Sequence, residues 1–185
     1  MNQVYRRLKK MREKYIDTIA KLYEYAVTVY SKKTYTQWYD TKEGSYTYAA
    51  FKNECDALSK VLTQYGIGAG DKVAILSTNM PNWSVAFFSL VPFGRIAIPI
   101  LPDSSENEVT NIINHSETKV IFVSQRLAGK ISEEVKKRMT LVIDIDTFDV
   151  IWEDIGIAVS VVLEVYTTQT AVEILLNAAR KQNER

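Results

Sequence analysis

Four short apolar runs fix most of what this chain can fold into: KVAILS (72–77), RIAIPI (95–100), TKVIFVS (118–124) and TLVIDID (140–146). Each is rich in strand formers and continuously apolar rather than alternating, the pattern of strands buried on both faces. Segments of helical length lie between them. NMPNW (79–83) reads as a turn and helix start, with Pro81 in the first helical turn. SVAFFSLVPF (84–93) is apolar enough for a buried helix, which Gly94 ends. Pro99 suggests the end of its strand or a switch in pairing. SSENEVTNIINHS (104–116) opens with a capping box, Ser105 with Glu108 three residues on. KISEEVKKRM (130–139) reads as a further helix. Alternating strands and helices predict an α/β fold: a doubly wound, mainly parallel sheet with helices on both faces. Ligands of such layers gather at the carboxyl ends of the strands. Here those ends are Ser77–Asn82, Leu101–Ser105 and Ser124–Arg126.

An N-terminal helix and hairpin are expected before this layer. Helical periodicity covers roughly residues 3–30. TYTQWYD (34–40) is a strand candidate and KEGS (42–45) a hairpin-type turn. In YTYAAFKNECDALSKVLTQY, Tyr48, Phe51, Cys55, Leu58, Leu62 and Tyr65 share one helical face. The glycines that follow, in QYGIGAGDKVAIL, suggest a nucleotide loop. A dinucleotide fingerprint needs a strand before its glycines and a helix after them; here the order is reversed. Gly66 fits a helix C-cap, and Gly68, Gly70 and Asp71 fit the turn into the next strand. Gly129-Lys130 is followed by Ile131, so the phosphate-loop pattern fails too.

Past about residue 150 the pattern changes. IGIAVSVVLEVY (155–166) is another apolar run, strand or buried helix. The chain then closes on an amphipathic helix carrying Val172, Leu175, Leu176 and Ala179. The reading therefore divides the chain into a unit at 1–150 and a divergent tail at 151–185.

The chemistry legible in the residues is thin. A net charge of +1 gives no global field for nucleic acid. The single cysteine, Cys55, excludes an internal disulfide framework and a cysteine-based zinc site, and its helical face makes it a core thiol. His115 is the sole histidine, expected at a helix end facing solvent; no GxSxG elbow accompanies it. His115-Ser116-Glu117 mimics a deaminase HxE, but the PCxxC partner is missing. Asp144, Asp146 and Asp149 lack the glycine and glutamate of a calcium loop and read as a strand-end turn. Trp83, Phe87, Phe88 and Phe93 fit a core better than a lipid pocket. No apolar run approaches the roughly 20 residues of a membrane span, and no secretory h-region opens the chain. A cytoplasmic protein is expected. Arg6, Arg7, Lys9, Lys10, Arg12 and Lys14 cluster near the start, with Val4, Leu8, Met11, Tyr15, Ile19 and Leu22 running between them at helical spacing. That pattern suits a surface helix packed on its own domain, or one making peripheral contact with an anionic membrane.

The order of short motifs supplies more. Thr47-Tyr48…Phe51, then Gly66…Gly70-Asp71-Lys72-Val73, then Asn79…Pro81…Trp83, then Gly94…Pro99-Ile100-Leu101-Pro102, resembles the N-terminal region of adenylate-forming acyl-CoA synthetases. The long-chain fatty-acid–CoA ligases are the most similar group, and the resemblance covers about residues 20–144. It implies ATP-dependent adenylation of a carboxylate, assisted by Mg²⁺, then thioester formation with CoA. The family's YTSGTTGxPKG phosphate loop is absent, and Thr167-Thr168-Gln169-Thr170 has its hydroxyls without its glycines or lysine. Accordingly no catalytic, cofactor-binding or metal-binding residue of the family is carried over, and this chain is expected to hold no cofactor and to be inactive by itself. An incomplete subdomain is expected to leave apolar surface uncovered, at 84–93 and 155–163, and to self-associate. The alternative is a non-catalytic, ligase-like binding or regulatory module.

Overall fold

A computed structural model describes Arg6 and residues 16–37 and 45–154. Its elements are α1 (Ile19–Val29), β1 (Thr34–Thr36), β2 (Tyr46–Thr47), α2 (Tyr48–Gln64), β3 (Lys72–Leu76), α3 (Pro81–Leu90), β4 (Ile96–Ile100), α4 (Glu106–Ser116), β5 (Val120–Val123), α5 (Glu133–Lys136), β6 (Leu141–Asp144) and β7 (Val150–Glu153). Two 3₁₀ segments, Val91–Phe93 and Gln125–Lys130, complete them.

Five strands form one sheet in the order β4-β3-β5-β6-β7, and β1 and β2 pair separately. β3 to β6 run parallel, with Leu76 opposite both Ile100 and Val123, and Val123 opposite Asp144. The predicted doubly wound layer is present. Successive side chains of a strand point to opposite faces, and two cores follow. Val73, Ile75, Val120, Phe122, Leu141 and Ile143 meet α1, α2 and α3. Ala74, Leu76, Ile121, Val123 and Val142 meet Val109 and Ile113 of α4 and Val135 of α5.

Several local expectations change. The period expected to run through residues 3–30 is interrupted: residues 16–18 are not helical, Thr18 is extended, and its hydroxyl accepts from Lys21 N–H at 3.2 Å, so α1 starts at Ile19. Residues 3–5 and 7–15 of that expected helix lie outside the described residues, as do the turn at 42–44 and everything from 155 on. The helix expected over 130–139 is only α5: Lys130 ends a 3₁₀ segment, and extended Ser132 caps the helix start by accepting from Val135 N–H at 3.3 Å. Pro99 neither ends its strand nor disrupts its pairing. It sits opposite Ile75 in β4, an edge strand. Ile96 donates to Asp71 O at 2.8 Å, which puts Pro99 in the alternate, outward set where no donor is needed. β7, antiparallel to β6, was not read from the sequence. It runs from Val150 to Glu153, so the strand spans the junction between 150 and 151. The Tyr65 hydroxyl at the end of α2 donates to the Glu153 carboxylate and fastens β7 to the body. Within the run 84–93, Val85, Ala86 and Leu90 are buried, and Phe93 is its one large apolar residue left exposed.

The charge at Arg95 is the other feature that the sequence did not announce. The residue is 5% exposed. It donates to Ile67 O from Nε (3.0 Å) and Nη2 (2.8 Å), to Ser59 O (3.1 Å) and Thr63 Oγ1 (2.8 Å), and to Ser59 Oγ (2.8 Å) and Ser89 O (3.3 Å). The fork thereby closes the carboxyl ends of α2 and α3, where a cation is electrostatically favoured.

Candidate functional site

The motif residues prove to be architectural. The Thr47 hydroxyl caps α2 by accepting from Ala50 N–H at 3.1 Å. At the other end Gly66 takes φ 74° and donates to Thr63 O, while Ile67 donates to Leu62 O. This is a Schellman motif, with buried Leu62 and Ile67 as its apolar pair. Asp71 Oδ2 accepts from Gly68 N–H at 2.7 Å and closes the turn into β3. Gly94, at φ 82°, accepts from Gly70 N–H at 2.8 Å, and a Cβ there would stand 3.1 Å from that of Ala69. The glycines that suggest a phosphate cradle are thus held by a cap and by this close approach of two turns.

The carboxyl ends of the strands were the expected ligand edge. Asn82, in the first turn of α3, is its central residue. Its side-chain amide donates to Ile145 O (2.9 Å) and Asp146 O (3.0 Å), and its carbonyl accepts from the Tyr46 hydroxyl (3.1 Å). One side chain therefore joins the hairpin, α3 and the end of β6. Beside it, Gln125 N–H donates to Asp146 Oδ2 at 2.9 Å and the Gln125 amide to Asp144 Oδ2 at 2.7 Å. Asp144 is buried, and its other oxygen accepts from Asp146 N–H at 2.8 Å. Lys130 Nζ, reaching over from the 3₁₀ segment, donates to Pro102 O and Ser104 O, both at 2.6 Å. Ser124, also buried, keeps a hydroxyl that finds no partner among the described residues.

Next to this edge is an open pocket of about 410 Å³, lined by Tyr35, Thr36, Gln37, Asn79, Met80, Pro81, Trp83 and Ser84. Trp83 forms one wall and stacks on Phe87, with ring centres 5.4 Å apart and planes at 11°. Phe87 and Phe88 pack on the core.

The expected bystanders stay apart. His115 is exposed in the last turn of α4, and Glu117 is that helix's C-cap at φ 57°. Asp144 and Asp146 serve the turn between β6 and β7, and among the described residues no group of three His, Cys, Asp or Glu side chains is arranged for a metal. Cys55 is fully buried with its thiol facing Val85 O at 3.7 Å, and burial pushes that thiol up to about 12. No described helix is long and apolar enough to cross a membrane. At the described edge Asn82, Gln125, Asp144 and Lys130 already serve one another or the backbone.

The parallel layer with its helical preface and reversed last strand is the N-terminal architecture of adenylate-forming ligases. The anthranilate CoA ligase AuaEII, solved with anthranoyl-AMP, superposes with a TM-score of 0.63 at 22% identity, over 71% of this chain and 25% of that one. The N-terminal domain of FACL13 from Mycobacterium tuberculosis gives 0.64 at 25% identity, over 71% and 34%. Residues 23–173 match the family described as AMP-binding enzyme, and the chain belongs to that family. The matched residues run past 150, into the segment set apart as a tail. Among curated relatives, 4-hydroxybutyrate–CoA ligase 2 of Metallosphaera sedula is 27% identical over 57% of this chain and 20% of its own length. Long chain acyl-CoA synthetase 2 of Arabidopsis thaliana is 28% identical over 50% and 14%. The chain thus spans a fifth or less of these two relatives.

Proposed function

We propose that this chain supplies the N-terminal layer of a long-chain fatty-acid–CoA ligase and does not adenylate a carboxylate by itself. In the whole enzyme ATP and Mg²⁺ would form the acyl-adenylate, and CoA would take the acyl group. The carrying observation is the state of the carboxyl edge: Asn82, Gln125, Asp144 and Lys130 are spent on internal bonds. What this layer contributes is a rigid wall. The Asn82 bonds tie the segment after β3 to the turn after β6, and the Lys130 bonds tie the segment after β5 to the loop after β4, so a partner domain closing on them meets a pre-organised surface.

The test is fatty-acid-dependent ATP–pyrophosphate exchange with the purified chain. No exchange above the protein-free rate is expected; exchange that scales with protein would overturn the reading. The same sample addresses self-association, which we place at the sheet edges. Phe93, Ile96 and Leu101 are 38%, 45% and 74% exposed, and Val150 and Ile151 are 39% and 40% exposed. Elution that shifts to larger size with concentration is expected, and an unchanging monomer would remove the proposal.

A further inference from the structure

Two residues of the NMPNW stretch have no architectural duty that accounts for them. Pro81 opens α3 and Asn82 binds the end of β6. Asn79, exposed just before that helix, makes no side-chain hydrogen bond among the described residues. Trp83 lays one face of its indole on Phe87, and no second described ring stacks on it. Both residues line the open pocket of about 410 Å³ beside the carboxyl edge. That volume falls within the range of about 300–1,000 Å³ usual for small-molecule sites.

The chemistry of the walls selects the ligand. Tyr35, Thr36, Gln37, Asn79 and Ser84 supply hydroxyls and amides, and none of the lining residues is charged. A phosphate or carboxylate would find no cationic side chain there. An alkyl chain would strip water from neutral polar groups and give them nothing in return. Amides and hydroxyls both donate and accept, which suits a ligand that does the same around its rim. An aromatic wall suits an apolar face, which buries its C–H groups against the ring. Tyr35 is held on Phe51, with ring centres 4.1 Å apart, and Trp83 on Phe87, so both walls are fixed before a ligand arrives. A pyranose joins these two features in one molecule: a face of C–H groups and a rim of neutral hydroxyls. We infer that this pocket binds a pyranose sugar, with its C–H face on Trp83 and its hydroxyls on Asn79, Gln37 and Thr36. The inference is independent of the ligase reading.

Saturation-transfer NMR on the full chain, with the methyl glycosides of glucose, mannose and galactose, tests it. At least one is expected to bind saturably, with transfer strongest to the protons of one ring face. The three should differ in affinity by at least about threefold, because one misplaced hydroxyl loses one hydrogen bond. Trp83→Ala is expected to weaken binding at least about tenfold, and Trp83→Tyr to restore part of it. Asn79→Ala is expected to weaken it by about threefold or more. Buried Cys55 stays unreactive toward a thiol reagent while the core is folded, and so reports that each variant is intact. No saturable binding of any of the three glycosides would overturn the inference, as would binding unchanged in intact Trp83→Ala. Benzamide or octanoate binding in a Trp83-dependent way where the glycosides fail would assign the pocket to an aromatic ring or an acyl chain, with the same consequence.

Discussion

Replacing Arg95 by methionine tests whether the buried guanidinium holds the helix ends as described. Methionine fills much of the same volume, so the loss is mainly of hydrogen bonds rather than of packing. Six bonds go, from donors to Ser59 O, Ile67 O, Ser89 O and the hydroxyls of Ser59 and Thr63. The hydroxyls can turn to other acceptors, and Ser59 O keeps its place in α2. Ile67 O and Ser89 O are left in the interior with their guanidinium partner gone, at about 1–3 kcal/mol each. Against this, methionine removes the desolvation cost of a buried cation, which also pulls the Arg95 guanidinium below its ordinary value despite the opposing field of Asp71. The expected net loss is about 3 kcal/mol. Arg95→Lys should recover little of it, since one ammonium cannot reach acceptors on α2, the turn at Ile67 and α3 together. Urea unfolding followed by tryptophan fluorescence reads the effect. With a slope of about 2 kcal/mol per molar urea, the midpoint falls by about 1.5 M. A shift below about 0.3 M at unchanged slope, or a gain in stability, would refute the reasoning.

Cys55 should stay silent toward a thiol reagent at pH 8 until the protein unfolds. Burial raises the folded thiol from 9.0 to about 12, so the folded state keeps a proton that the unfolded state releases between those values. Its contribution to stability is therefore full below about pH 9 and declines by about 1.4 kcal/mol per unit as pH rises toward 12. Cys55→Ala should flatten that part of the stability profile, and an equal slope in both proteins would contradict the assignment. Asn82→Ala should cost about 1–2 kcal/mol, mainly by leaving the part-buried Ile145 O without the amide, since water can reach the exposed Asp146 O. In a double-mutant cycle with Tyr46→Phe, a coupling of about 0.5–1.5 kcal/mol is expected from the hydroxyl bond, and strict additivity would show that the bond does not form.

Local chemistry made much of this protein legible in its sequence. The strands announced themselves because burial on both faces requires continuous apolar runs, and α2 because its apolar residues recur at helical spacing. The capping box of Ser105 and Glu108 forms as read, with Ser105 N–H donating to Glu108 Oε2 at 2.7 Å. Gly66 and Gly94 sit at positive φ, where a residue lacking Cβ is favoured. These features depend on a few neighbouring residues, so a linear reading captures them. Strand order, the addition of β7, the burial of Arg95 and the role of Asn82 are different in kind. Arg95 meets Ser59 across 36 positions, and Asn82 meets Ile145 across 63. Nothing in either residue's neighbourhood marks such a partner, because an arginine or asparagine has the same local propensity whether it faces water or a distant carbonyl. The sequence by itself determined the four parallel strands, α2 and the caps at Ser105 and Gly66. Only the tertiary structure decided which carbonyls Arg95 and Asn82 would find, because that pairing exists only once the layer has closed.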